Sequence, residues 1–126
     1  MNLQIYRVIL PVSNIEEAEK FYSQLFEMSG ERVSPGRHYF NLGGVILACY
    51  DPAADGDEIN FSPNPDHIYI STSQLEYIFS RASKLNCSKL DTSIETMPWG
   101  ERCFYFTDPF GNQICIVDEK TKFTSL

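Results

Sequence analysis

The stretch that decides the fold runs from Pro98 to Val117 and reads PWGERCFYFTDPFGNQICIV. Two runs within it, Cys103–Thr107 and Gln113–Val117, are rich in aromatic and β-branched residues, as strands usually are. The five residues between them include Pro109, which fixes φ, and Gly111, which accepts a positive φ. The stretch therefore predicts a β-hairpin with a tight turn.

Composition and charge argue against two classes of partner. The chain has 126 residues, of which 43% are hydrophobic, so we expect one globular domain over residues 1–126. Its formal net charge is -7 and no basic run could neutralise a row of phosphates, so we expect no nucleic-acid partner. No apolar run approaches the ~20 residues of a membrane span, and the first residues lack a signal-peptide pattern, so we expect no membrane.

The cysteines, Cys49, Cys87, Cys103 and Cys115, form no CxxC pair. Three of them lie in strand-like runs, where a thiol usually behaves as a small buried apolar group. We therefore expect reduced thiols and a cytoplasmic protein.

The first part of the chain, about residues 4–50, predicts one module of the order β-α-β-β-β. It begins with a strand over residues 4–12 and continues with a helix that ends near Gly30 and is followed by three short strands. The helix opens at Ser13–Glu16, which has the spacing of a capping box. Residues 51–65 are rich in proline and acidic side chains, so we interpret them as a solvated linker.

A second module, about residues 66–118, repeats this order. It has a strand over residues 67–72, a helix that opens with the capping box Ser73–Glu76 and ends near Asn86, and a strand over residues 90–97 before the hairpin.

The two modules align at an offset of 60 residues, which places Arg7 on His67 and Ile15 on Leu75. One module alone would leave a face of its sheet bare, so we expect the two to combine. The predicted fold class is α+β: two β-α-β-β-β modules forming a curved mixed sheet around a cavity, with the helices on the outer face.

With the repeat and the hairpin in hand, the chain resembles the vicinal-oxygen-chelate superfamily of glyoxalases, extradiol dioxygenases and bleomycin-resistance proteins. The motifs that carry the resemblance are Arg7–Asn14, Phe21-Tyr22, Pro98–Gly100 and Phe106–Ile114. In length and in the Pro-Trp-Gly motif the chain is most similar to the bleomycin-resistance proteins, in which the matching tryptophan lies beside the ligand groove.

The resemblance implies four metal-ligand positions, which fall on Arg7, Leu47, His67 and Cys115 in this sequence. Only His67 is a ligand of the family's type. Arginine stays cationic, leucine has no donor atom, and cysteine suits softer metals than the family's enzymes mostly use. The resemblance therefore implies a chain without the usual divalent-metal site, and we expect no cofactor, the alternative being a divalent metal.

Strand alternation indicates which side chains face the cavity. On one face it places an apolar set suited to packing under the helices: Val8, Leu10, Val12, Ile68, Ile70, Ile114 and Ile116. On the other face, a mixed set is typical of a small-molecule pocket: Arg7, Ile9, Pro11, His67, Tyr69, Ser71, Gln113 and Cys115.

Several candidate residues keep a structural alternative. Arg7 is either a solvated strand-end cation or an anchor for an anion, and His67 is either a surface histidine or a pocket group. Trp99 is either a core aromatic or a ligand platform, and Glu101 is either solvated or a cavity acid. Cys115 is more typical of a core thiol than of a nucleophile, because no paired base is evident.

The sequence thus predicts a protein that sequesters a small cationic or aromatic ligand in a metal-free groove, as in bleomycin-type antibiotic resistance, and that assembles as a homodimer. The predicted ligand-binding residues are Arg7, His67, Tyr69, Trp99, Glu101, Gln113 and Cys115, with no catalytic residue. One alternative is a metal-dependent lyase or dioxygenase that uses His67 and Cys115 with Glu101 or Cys49. Another is a regulatory or accessory module.

Overall fold

The computed structural model describes residues 1–125, which form two compact units that meet in sequence between Asn64 and Pro65. The first unit contains, in order, β1 (Arg7–Pro11), α1 (Ile15–Phe26), β2 (Glu31–Ser34), β3 (Arg37–Leu42) and β4 (Val45–Tyr50). Its four strands form one mixed sheet in the order β1-β4-β3-β2. The first and last strands, β1 and β4, are parallel neighbours, and the other pairs are antiparallel.

The second unit repeats this plan. It contains β5 (Ile68–Thr72), α2 (Leu75–Ala82), β6 (Lys89–Leu90), β7 (Glu95–Thr96), β8 (Arg102–Thr107) and β9 (Gln113–Asp118). The sheet order is β5-β9-β8-β6, with β7 also paired to β8, and again the first and last strands are parallel neighbours. The strand expected over residues 90–97 is thus two short strands, β6 and β7, with a loop between them.

The α+β class is confirmed; the first unit has the predicted β-α-β-β-β order, and the second differs from it only in the division of one strand into β6 and β7. The strands form two open mixed sheets, of four and five strands, one in each unit, where the sequence suggested one curved sheet. Within residues 1–125, neither helix combines the length and the apolarity that crossing a bilayer requires.

Both helices begin and end differently from the prediction. Asn14, and not Ser13, caps α1, because its Oδ1 accepts a hydrogen bond of 3.1 Å from the amide of Glu17. The helix ends before Glu27, whose left-handed φ of 51° terminates it. At α2 the N-cap is Gln74, whose side chain makes no capping hydrogen bond, so the second capping box was also wrong. After Ala82 the chain continues in single turns, so α2 stops short of Asn86.

The apolar face predicted for the strands lies under the helices. Leu10 and Val12 of the first unit, and Ile114 and Ile116 of the second, are fully buried. On α1 the buried stripe is Ile15, Ala18, Phe21, Tyr22 and Leu25. The core of each unit therefore sits between its helix and this sheet face.

The placement of Leu47 as a cavity position was wrong. Leu47 pairs with Val8, and paired residues in a sheet point to the same side, so Leu47 belongs to the helix-facing set and is buried. In the repeat, Ile9 corresponds to Tyr69. Tyr69 pairs with Cys115 and Ile9 pairs with Ala48, so Ala48 is the first-unit counterpart of Cys115. Alanine, like leucine, has no donor atom for a metal.

The hairpin predicted from the deciding stretch is confirmed. Strands β8 and β9 pair antiparallel, from Cys103 with Val117 to Thr107 with Gln113. In the turn, Gly111 has a φ of 97°, which glycine adopts without strain. The fully buried Asp108 side chain accepts hydrogen bonds from the amides of Phe110 and Asn112, and therefore shapes the turn.

The first part of the predicted solvated linker is instead a fixed loop. The buried Asp51 accepts a 3.2 Å hydrogen bond from the amide of Ile15, at the start of α1. Asp55 accepts hydrogen bonds from Ser34 Oγ and the amide of Gly36, in the turn between β2 and β3. These acidic side chains satisfy orphan backbone donors, which composition alone does not reveal.

Candidate functional site

The face of the second sheet that lies away from α2 carries three polar or aromatic side chains in one row. Register places Tyr69 of β5 beside Cys115 of β9, and Cys115 beside Tyr105 of β8. The next residue along β8, Phe104, points to the opposite face, where its ring packs against Phe79 of α2 at 4.8 Å. The helix α2 therefore does not cover this row of side chains.

Three rings cluster on this face: His67, Tyr69 and Tyr105. The His67 ring lies 5.2 Å from the Tyr105 ring and 6.2 Å from the Tyr69 ring, and the two tyrosine rings are 6.5 Å apart. Burial raises the pKa of Tyr105, and a hydrogen bond with Tyr69 raises it further, so the Tyr105 phenol stays protonated. The cluster presents the ring faces of all three residues and the hydroxyl groups of the two tyrosines.

A cleft of about 440 Å³ opens beside this cluster. The residues that line it are Tyr69, Ile70, Ser71, Glu101, Val117, Lys122 and Phe123. Glu101 is held in place, because its Oε1 accepts 3.0 Å from Trp99 Nε1 and its Oε2 accepts 3.3 Å from the amide of Phe123. The cleft thus combines a fixed carboxylate and the basic side chain of Lys122 with two aromatic residues, Tyr69 and Phe123.

Trp99 is a surface residue. Its side chain is 63% exposed, so the core alternative is wrong, and its indole N–H is already paired with Glu101. Phe123, also exposed, donates its backbone amide to the other oxygen of the same carboxylate. Exposed aromatic rings around a fixed acid are typical of a site that stacks on a flat ligand.

A smaller cleft, of about 150 Å³, holds two further predicted residues, His67 and Gln113. Its other lining residues are Lys89, Asp91, Tyr105, Phe106 and Thr107. The Asp91 carboxylate has a structural role, since its Oδ2 accepts a hydrogen bond of 2.9 Å from the amide of Tyr105. Tyr105 therefore links the ring cluster to this second cleft.

Cys115 faces the predicted side but is fully buried, so a ligand in either cleft could not contact it. Burial, together with the neighbouring Cys103, raises the pKa of Cys115 to about 12. At neutral pH the group is a thiol, which is a poor nucleophile.

Arg7 lies in the first unit, stacked on two tyrosine rings. Its guanidinium carbon is 5.1 Å from the centre of the Tyr6 ring and 5.2 Å from that of Tyr39. A hydrogen bond with Tyr6 raises the pKa of Arg7, so the group is always charged. This arrangement presents an oriented cation on the first unit.

Sequence reasoning missed Tyr105, Lys122 and Phe123. The signal for Tyr105 was present, since alternation from Cys103 places it on the same face as Cys115. Lys122 and Phe123 follow the last strand, where no periodic pattern could place them. Across residues 1–125, no three or more His, Cys, Asp or Glu side chains are placed together to hold a metal ion.

By sequence, residues 4–116 match the family described as the Glyoxalase/Bleomycin resistance protein/Dioxygenase superfamily. The chain therefore belongs to this superfamily, and the resemblance carried by its motifs is confirmed.

Solved structures agree with this assignment. A glyoxalase-related enzyme from Fulvimarina pelagi is similar with a TM-score of 0.75 and 17% identity, covering 93% of this chain and 88% of that one. Lactoylglutathione lyase from Agrobacterium tumefaciens gives a TM-score of 0.69 and 20% identity over 93% and 94% of the two chains. A member of the superfamily from Sphaerobacter thermophilus gives a TM-score of 0.70 and 22% identity, covering 94% of this chain and 98% of that one. These likenesses establish the fold.

Proposed function

We propose that this protein binds a small aromatic cation and sequesters it without changing it chemically. The observation that carries the proposal is the cleft lined by Tyr69, Glu101 and Phe123, with the exposed Trp99 bonded to the same carboxylate. Ring faces attract cations through their quadrupoles, and a fixed carboxylate adds a Coulomb attraction. Superfamily membership is consistent with this use, since the family's description includes bleomycin-resistance proteins.

Charge supports the same choice of ligand. The formal net charge of -7 favours the approach of cations, although it does not select among them. If the ligand is toxic, sequestration amounts to resistance. The four cysteines are thiols and not halves of disulfides, which suits a reducing, cytoplasmic setting.

The rival, a metal-dependent lyase or dioxygenase, finds less support in its donor set. Cys115 is buried with a raised pKa, and Cys49, fully buried, pairs with Leu10 on the helix-facing side of the first sheet. Glu101 is already bonded to Trp99 and to the amide of Phe123. Of these four candidate ligands, only His67 is exposed, and its described contacts are with the rings of Tyr69 and Tyr105.

Trp99 provides a direct test of the proposed site, because it is the only tryptophan. N-methylquinolinium, a flat aromatic cation, should quench Trp99 emission saturably as it stacks, whereas the neutral, nearly isosteric quinoline should bind at least tenfold more weakly. Fluorescence and calorimetry on the same samples measure both quantities. Heat of binding without quenching would place the ligand elsewhere, and equal affinity for the two compounds would rule out cation selection.

We also propose a homodimer without a resident divalent metal. The edge strands of the first sheet, β1 and β2, and the exposed apolar residues Leu3 and Ile5 offer surface for a second copy. Native mass spectrometry of protein purified from its own host should show a dimer with no stoichiometric Zn, Ni, Mn or Fe. A monomer at micromolar concentration would contradict the dimer, and one such metal per chain would contradict the sequestration proposal.

A further inference from the structure

We propose that Cys103, Cys115 and Met97 form a binding site for Cu(I), a monovalent thiophilic cation. The site would lie beneath the surface of the second sheet and would use none of the side chains that line the larger cleft. It is therefore independent of the proposed binding of an aromatic cation.

The hairpin brings the three sulfur-containing residues together. Cys103 pairs with Val117, and Cys115 pairs with Tyr105, so the two cysteines are diagonal neighbours on one face of the sheet. They form a buried cluster with Val117, and Met97 and Tyr105 pack against that cluster.

The backbone of Met97 is held by the turn that starts the hairpin. Its amide donates to the carbonyl of Glu101 at 2.8 Å, and its carbonyl accepts from the amide of Gly100 at 2.8 Å. Gly100 has a φ of 97°, which a residue with a side chain would adopt only with strain. The Met97 side chain therefore packs against the cluster from a fixed backbone.

The geometry favours a bridging ion over a disulfide. Diagonal neighbours in antiparallel strands lie about 7–8 Å apart at their Cα atoms, beyond the 4.4–6.8 Å usual for a disulfide. The two sulfur atoms of a disulfide lie about 2 Å apart, whereas two thiolates on one ion lie up to about 4.6 Å apart, twice a metal–sulfur bond of about 2.3 Å. A bridging ion therefore suits cysteines whose Cα atoms are farther apart. Both cysteines are free in the structure.

The donor set selects a soft ion. Thiolate and thioether ligands favour Cu(I), whereas Mg, Mn and Fe(II) favour oxygen and imidazole, and no three His, Cys, Asp or Glu groups converge within residues 1–125. Binding replaces two S–H protons by one Cu(I), which releases two protons and transfers no electron. The product carries one negative charge, and Tyr105, which packs against the cluster, is placed to stabilise it through its hydroxyl group.

Anaerobic titration of the whole protein with Cu(I), in competition with bathocuproine disulfonate, tests the site. The wild type should bind one Cu(I) per chain, and C103S and C115S should each weaken binding by at least a hundredfold. M97L, which keeps the volume of the side chain, should weaken it about tenfold. The matched controls C49S and C87S remove cysteines outside the cluster and should leave the affinity within twofold of the wild type.

Two further readouts keep the proposal falsifiable if a serine variant fails to fold. Because two protons leave, the apparent affinity of the wild type for Cu(I) should increase by up to about a hundredfold for each pH unit between pH 6 and 8. Bound Cu(I) should also protect Cys103 and Cys115, but not Cys87, from alkylation during partial unfolding. Loss of binding in C87S, an unchanged affinity in M97L, or a pH-independent affinity would each overturn the site.

Discussion

Replacing Asp108 with alanine is expected to lower the free energy of unfolding by about 3 kcal/mol. The side chain is fully buried in the turn between β8 and β9. Its Oδ1 accepts from the amides of Phe110 (2.9 Å) and Asn112 (2.8 Å), and its Oδ2 accepts from Asn112 Nδ2 (3.0 Å). Alanine would leave these donors buried without an acceptor, which costs more than the hydrogen bonds alone contribute.

Urea unfolding at equilibrium, followed by circular dichroism, measures this loss. Asp66→Ala is the matched control, because Asp66 is an exposed residue of the same type and its loss should change stability by less than about 0.5 kcal/mol. Asp108→Asn keeps one acceptor oxygen, so its loss of stability should lie between those of Asp108→Ala and Asp66→Ala. A loss of under 1 kcal/mol in Asp108→Ala would mean that the turn is shaped by Pro109 and Gly111 alone.

The hairpin was predictable because its signals are local. Pro109 and Gly111 set the turn, and alternation along β8 and β9 sets the faces, so no distant contact was needed. The same logic failed for Leu47. The register of Leu47 depends on the parallel pairing of β1 with β4, which are distant in sequence. The offset of 60 residues that aligns the helices does not hold for the last strands, because β4 begins at Val45 and β9 begins at Gln113.

The candidate site was predictable only in part, for a related reason. Alternation placed Tyr69 and Cys115 on one face, which the register supports. It could not reveal that Met97 and Tyr105 cover Cys115, because packing above a sheet is a tertiary property. Nor could it place Phe123, whose contact with Glu101 involves a segment beyond the last strand.

Reversing the charge at Glu101 with Glu101→Lys is expected to weaken the binding of N-methylquinolinium about a hundredfold, or about 2.7 kcal/mol. The wild-type carboxylate attracts the cation, and a lysine in its place repels it. Coulomb's law gives about 1 to 4 kcal/mol per unit charge at about 4 Å, depending on how far water screens the pair. The substitution also removes the acceptor for Trp99 Nε1, so it loosens the stacking surface as well.

Two further variants separate the local charge from the charge of the whole protein. Glu119→Lys makes the same change in net charge at an exposed residue that does not line the cleft, and it should weaken binding by less than threefold. Glu101→Gln removes the charge but keeps an acceptor oxygen for the indole N–H, and should cost about tenfold. Calorimetry with quinoline on the same variants should show little change, since a neutral ring gains nothing from the carboxylate. If Glu119→Lys weakens binding as much as Glu101→Lys, the attraction is a property of the acidic surface, and the cleft beside Trp99 does not select the ligand.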